Sequence, residues 1–159
     1  MAARIEVMHV DPFLIEPQRS HDRPRVRQLL QQCGLPVDDL DTSPVDFLVM
    51  REGGQVVGAI GLESADGVAL LRSLAVLPSL HGQGRGGALV AAAERLAEQR
   101  GIDDLYLLTT TAPGFFALHD YLRVHRASVP LAMQGAAQFA ALCPDTAVCM
   151  HKRLRRPRL

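Results

Sequence analysis

An excess of charge of either sign is missing from this sequence: 17 Lys and Arg stand against 17 Asp and Glu in 159 residues, a formal net charge of zero. Such a chain has no global field to draw it to nucleic acid or to an anionic membrane surface, so neither is an expected partner, and any anion it binds must be bound locally. Long apolar runs are missing too, none reaching the roughly 20 residues a membrane-spanning helix needs. The opening stretch, MAARIEVMHV, has no uninterrupted apolar segment of signal-peptide type, and a cytoplasmic location is expected. Cysteine is scarce and unpaired: Cys33, Cys143 and Cys149 contain no CxxC spacing, so no metal site is expected and buried, hydrophobe-like thiols are. What the chain does have is 48% apolar residues in a length suited to one core. With no repeats and no long linker, a single domain over 1–154 with a basic tail over 155–159 is expected.

Periodicity then orders the chain. Arg4 to Val10 reads as a short strand, and Ser20 to Gln32 as an amphipathic helix with Val26, Leu29, Leu30 and Cys33 on one face, Pro24 at its start and Gly34 at its stop. Val45 to Arg51 and Gln55 to Glu63 are strand-like runs joined through Gly53 and Gly54. Gly67 to Leu77 follows an acidic-glycine turn, so an antiparallel meander is expected. Ala88 to Arg100 reads as a helix ended by Gly101, followed by a strand at Leu105 to Thr110, a short helix at Phe115 to His119 and a strand at Leu122 to Arg126. Strand, helix, strand implies one parallel pairing. Val129 to Leu142 reads as a surface helix or lid, and Ala147 to Leu154 as the last strand. The fold class is therefore α/β (α+β): a mixed central sheet built from an N-terminal meander and a βαβ unit, with helices on both faces.

Between the third meander strand and the long helix lies Pro78-Ser79-Leu80-His81-Gly82-Gln83-Gly84-Arg85-Gly86-Gly87. Glycines at 82, 84, 86 and 87 suit a loop whose amides face inward, where a phosphate can approach the backbone at a helix N-terminus. Arg85 can add a charge-assisted contact. The string lacks the Gly-Lys-Ser/Thr ending of a Walker loop and is not the usual dinucleotide fingerprint. In this setting, Val76-x-Pro78 followed by Gly82-Gln83-Gly84-x-Gly86 resembles the GCN5-related N-acetyltransferase (GNAT) superfamily over nearly the whole chain. That family's loop has Arg or Gln where His81 stands, a departure that touches a side-chain contact rather than the main-chain amides. The resemblance implies acetyl-CoA as co-substrate, its pyrophosphate on His81, Gly82, Gln83, Gly84, Arg85, Gly86 and Gly87. It also implies that the backbone of Leu74, Ala75 and Val76, where the central strand splays at a bulge, holds the pantetheine arm and polarises the thioester carbonyl. A fixed N–H there stabilises the oxyanion formed when an amine attacks. A homodimer is the assembly the family suggests.

No catalytic residue is assigned. Many family members place an acid tyrosine in a Phe-Tyr-x-x-x-Gly-Phe pattern, and here Phe116 takes the place of that tyrosine and Asp120 that of the glycine. Phe116 has no proton to give, so thiolate release proceeds without an enzymatic acid, a thiol with pKa about 8.5 being a tolerable leaving group, or another group substitutes. Arg72 and Ser73 interrupt an apolar strand and are expected to bind the acceptor with Thr110. Arg72 is suited either to a substrate carboxylate or to a salt bridge with Glu63 on the neighbouring strand. The strings Leu70-Leu71-Arg72-Ser73-Leu74, Leu107 to Ala112 and Leu142-Cys143-Pro144 further resemble the acetyltransferase branch associated with arsenic resistance, which implies an amino acid or an amino-acid analogue as acceptor. The expected function is N-acetylation of a small-molecule amine from acetyl-CoA; the alternative is a non-catalytic acetyl-CoA-binding module.

Overall fold

Two Gly-containing turns set the architecture. In the computed structural model, which describes residues 13–136 and 146–154, Gly53 and Gly54 adopt φ of 58° and 80°, and Asp66 and Gly67 adopt 51° and 80°. Positive φ at both central residues is the turn whose twist matches the flanking strands, and it closes two successive hairpins. The strands so joined are β2 (Val45–Glu52), β3 (Gln55–Ala65) and β4 (Val68–Val76), preceded on the outer edge by β1 (Leu14–Pro17). From β4 the chain crosses through helix α2 (Arg85–Gln99) to β5 (Asp104–Thr109), parallel to β4, the parallel pairing the sequence implies. Helix α3 (Pro113–Leu118), strand β6 (Leu122–Arg123), helix α4 (Leu131–Gln134) and β7 (Val148–Arg153) complete a seven-stranded sheet of order β1-β2-β3-β4-β5-β7-β6.

Helix α1 (Arg23–Gln32) begins with Pro24 in its first turn and a preceding Asp22 that accepts from the Arg19 amide at 2.8 Å. It buries Val26, Leu29 and Leu30 on Phe47, Val49, Ala59 and Ala75. Helix α2 buries Leu89, Val90 and Ala93 on the other face, against Ile60, Leu62, Leu71 and Leu107. Along β4, Ala69 and Leu71 face α2, while Leu70 faces the opposite way, onto Val129, Met133 and Cys149 beside α4. Helices therefore cover both faces.

One expectation changes, and two fall wholly or partly outside the described residues. The strand expected at Arg4 to Val10 lies outside the described residues, and the described edge strand is Leu14–Pro17. The strand expected from Leu122 to Arg126 pairs only at Leu122 and Arg123, because the chain turns into a short 3-10 segment at Arg126–Ser128. Of the surface helix expected from Val129 to Leu142, residues Leu131–Gln134 are helical, and 137–145 lie outside the described residues together with the tail 155–159. Among the described residues no helix is long and apolar enough to cross a membrane.

Candidate active site: a glycine cradle beside a splayed strand

β4 and β5 are paired only at Val68↔Asp104, Ala69↔Leu105 and Leu70↔Tyr106. Beyond that point the two strands diverge. On the other side of β4 the register with β3 slips by one residue: Gly61 faces Arg72 while Ala59 faces Ala75, so Ser73 and Leu74 are accommodated opposite Ile60 alone. Ser73 makes the bulge with φ of 58°, in the left-handed region that non-glycine residues adopt at a cost of about 1 kcal/mol or more. Ala75 and Val76 keep β3 on one side, and on the other, where β5 has diverged, Leu74 to Val76 border a cavity.

Beyond β4 the chain passes a 3-10 turn at Pro78–Leu80 and enters α2 through Gly82 and Gly84, with φ of 78° and 81°. A Cβ at either would meet nothing within 4 Å, so open space lies beside both. Among the described residues no carbonyl or side chain accepts from the amides of Gly82 to Gly87, and the first partnered one is that of Ala88, to the Gly84 carbonyl at 3.1 Å. Free amides at the N-terminus of a 15-residue helix are donors of the kind an anion accepts from. Gly86 and Gly87 have a second reason to be glycine. A Cβ at Gly86 would lie 3.3 Å from the Phe115 ring, and one at Gly87 3.0 Å from the His119 ring, so bare backbone lets α3 close on α2.

His81 turns inward: its Nε2–H donates to the Val76 carbonyl at 2.8 Å, and the Cys33 thiol approaches the same oxygen at 3.6 Å. The side chain that departs from the family pattern therefore ties the loop to the end of β4. Burial pushes the Cys33 thiol up, so it stays protonated. Arg85 is not directed at the cradle alone; its Nε donates to Glu52 and its Nη1 to Gln83 Oε1 at 2.6 Å. The cradle encloses about 450 Å³ and shares Leu35, Leu74, Thr111, Ala112 and Phe115 with a second cavity of about 260 Å³ toward the Arg72 end of the splay. The two cavities adjoin along these shared walls.

The second cavity is lined by Gly34 to Pro36, Arg72 to Leu74, Thr109 to Ala112, and Phe115 with Phe116 among others. Thr110 is exposed at its mouth, whereas Thr109 is buried and its hydroxyl accepts from the Ala112 amide at 3.0 Å. Phe116 is buried in the wall, which leaves no hydroxyl where an acid tyrosine would reach in. Asp120, in the place of the pattern's glycine, adopts φ of 72°, the conformation a glycine there would supply. Tyr121 is no substitute acid: it is buried and donates to Glu94 at 2.9 Å, and burial with the Glu94 charge raises its phenol far above its usual range.

Arg72 departs most from its expected role as a carboxylate binder. Its guanidinium is 0% exposed, with Nη1 and Nη2 donating to the two oxygens of Asp39 at 2.6 and 2.8 Å and Nη1 also to Glu63 at 3.1 Å. The pair with Glu63 is one of the two alternatives the sequence left open; the bidentate pair with Asp39 was not anticipated. A fork already filled by Asp39 offers no free face to an acceptor carboxylate.

The comparison with known proteins follows the same lines. A model of the acetyltransferase (GNAT) family matches residues 7–125. The chain belongs to that family. An uncharacterized N-acetyltransferase of Chlorobaculum tepidum is 32% identical to this GNAT chain over 106 residues, which is 65% of each protein. N-acetylglutamate synthase of Neisseria gonorrhoeae, solved with coenzyme A and N-acetyl-glutamate, superposes with a TM-score of 0.78 at 20% identity, covering 91% of this chain and 35% of the synthase chain. A Mycobacterium tuberculosis protein solved in complex with CoA gives a TM-score of 0.75 at 21% identity, over 89% of this chain and 99% of that one. At these identities the structural likeness establishes the GNAT fold. The matched region spans about two thirds of the curated relative and about a third of the synthase.

Proposed function

We propose that this chain transfers the acetyl group of acetyl-CoA to the amine of a small molecule of the amino-acid or amino-acid-analogue class. The observation that carries the reading is the adjacency of two cavities: one at the glycine-rich start of α2 and one at the splay beside the β4 bulge share five lining residues. The cradle fits a pyrophosphate, since Gly82 and Gly84 leave open space beside unpartnered amides. Leu74 lines both cavities and Ala75 and Val76 line the cradle, which supports the backbone here as the part that meets the pantetheine amides and donates to the carbonyl oxygen as negative charge develops there. The acceptor takes the cavity bounded by Ser73 and Thr110.

Bound acetyl-CoA would supply the activated acyl group; the chain's part is to orient it, exclude water and stabilise charge. With Phe116 in the wall and Tyr121 committed to Glu94, the thiolate departs without a side-chain acid. Among relatives of similar fold, the synthase crystallised with N-acetyl-glutamate supports an amino-acid-like acceptor, and the local strings shared with the arsenic-resistance branch extend that class to arsenic-containing or phosphinic glutamate analogues. The test is thiol release from acetyl-CoA with free amino acids, these analogues, polyamines and peptides, run beside titration calorimetry. Absence of acetyl-CoA binding overturns the reading. A second reading, a non-catalytic acetyl-CoA-binding module, is favoured by Phe116; binding without thiol release across the panel would select it.

A further inference from the structure

We propose that Arg72 is a positioning residue that couples the roof of the acceptor cavity to the bulge of β4, so that the two close on the reacting atoms as one unit. This rests on the acetyltransfer reading above. The segment between α1 and β2 has no helix or strand to hold it, yet its residues Gly34 to Pro36 roof the cavity. Its one deeply buried charge, Asp39, reaches across 33 positions of sequence to Arg72. Asp39 also accepts from the Ser43 hydroxyl at 2.6 Å, and the hydrogen bonds from Arg72, with that from Ser43, hold its carboxyl below the usual range, so it is ionised at neutral pH.

The same guanidinium turns its Nε to the Ser73 hydroxyl at 3.1 Å. Ser73 is the residue whose left-handed backbone creates the bulge, and that conformation is stable only if the surroundings hold it. Space for the arrangement comes from Gly61, directly opposite in the register: a Cβ there would lie 3.3 Å from Arg72 Cγ. Glu63, also on β3, supplies a second carboxylate to Nη1. One side chain thus touches the segment that carries the roof, the bulge and the neighbouring strand. Planar, fork-like donors make arginine suited to this and lysine unsuited.

Deleting Arg72 would leave two buried carboxylates unpaired and the protein could fail to fold, so the test uses Ser73→Gly and Asp39→Asn. Glycine accepts a φ of 58° without strain, so Ser73→Gly should keep or raise Tm while removing the Nε partner. Positioning predicts kcat down about tenfold with acetyl-CoA affinity within about twofold. Asp39→Asn should instead raise the acceptor KM by about tenfold, and hydrogen exchange should quicken at Ser73 and Leu74 as well as over 34–40. Wild-type turnover in which Ser73→Gly leaves kcat unchanged, or exchange in Asp39→Asn that quickens over 34–40 alone, overturns the proposal. If wild type neither binds acetyl-CoA nor releases thiol, the functional reading fails, while the exchange experiment still decides the coupling.

Discussion

At the scale of single residues, His81 is the side chain whose part is clearest. It stands where the family pattern has Arg or Gln and spends its Nε2–H on the Val76 carbonyl, closing the cradle onto the end of β4. His81→Ala should weaken acetyl-CoA binding by about five- to tenfold, the worth of one hydrogen bond of about 1 kcal/mol that orders the loop, with kcat little changed; calorimetry and steady-state kinetics read the two separately. Phe116→Tyr restores the hydroxyl of the family pattern. If thiolate departure needs no side-chain acid, kcat should change by less than about threefold in stopped-time thiol assays. Away from the site, Asp22 is gripped by Arg51 on β2, and that hydrogen bond, with the Arg19 amide, holds its pKa at about 2, against 3.8 unperturbed. A carboxyl depressed in the folded state contributes stability that is complete above its unfolded value and lost as the pH falls through its folded one. Wild type should lose that increment between about pH 4 and pH 2, and Asp22→Asn, less stable at neutrality, should show a shallower acid limb in denaturant titrations.

At the scale of elements, the loops and turns carry as much as the strands. Gly84 caps α2 with φ of 81°, and Gly84→Ala should lower stability by about 1 kcal/mol and acetyl-CoA affinity with it, read by thermal melts with and without ligand. The meander, the long helix and the parallel pairing were legible because their signals are local: turn pairs at Gly53-Gly54 and Asp66-Gly67, and an alanine-rich face stopped by Gly101. The glycine-rich entry into α2 was legible as a loop for the same reason. β1 was not, since four residues ending in Pro17 carry little pattern and are defined by pairing with β2. Asp39 was missed because nothing in Val37-Asp38-Asp39-Leu40-Asp41 separates one aspartate from its neighbours, and only its partner across the fold singles it out for burial. The left-handed turn at Ser73 left no mark either, because serine does not advertise positive φ as glycine does.

At the scale of the molecule, two adjoining cavities lie where the sheet opens between β4 and β5, the proposed cradle at one end and a smaller cavity beside Ser73 and Thr110 at the other. Helices on both faces fix the strands on either side of the opening, so a ligand spanning it should stabilise the whole fold in proportion to occupancy, by about 2.7 kcal/mol at a hundredfold excess over Kd. The basic tail at 155–159 lies apart from the cradle in sequence and should be dispensable for binding. The most direct measurement is thiol release from acetyl-CoA by the full chain, with mass analysis of the acceptor across a panel of amino acids and their analogues. The account predicts stoichiometric appearance of coenzyme A and an N-acetylated product for at least one member of that class. Binding of acetyl-CoA with no acetyl transfer to any of them, or no binding at all, would contradict it.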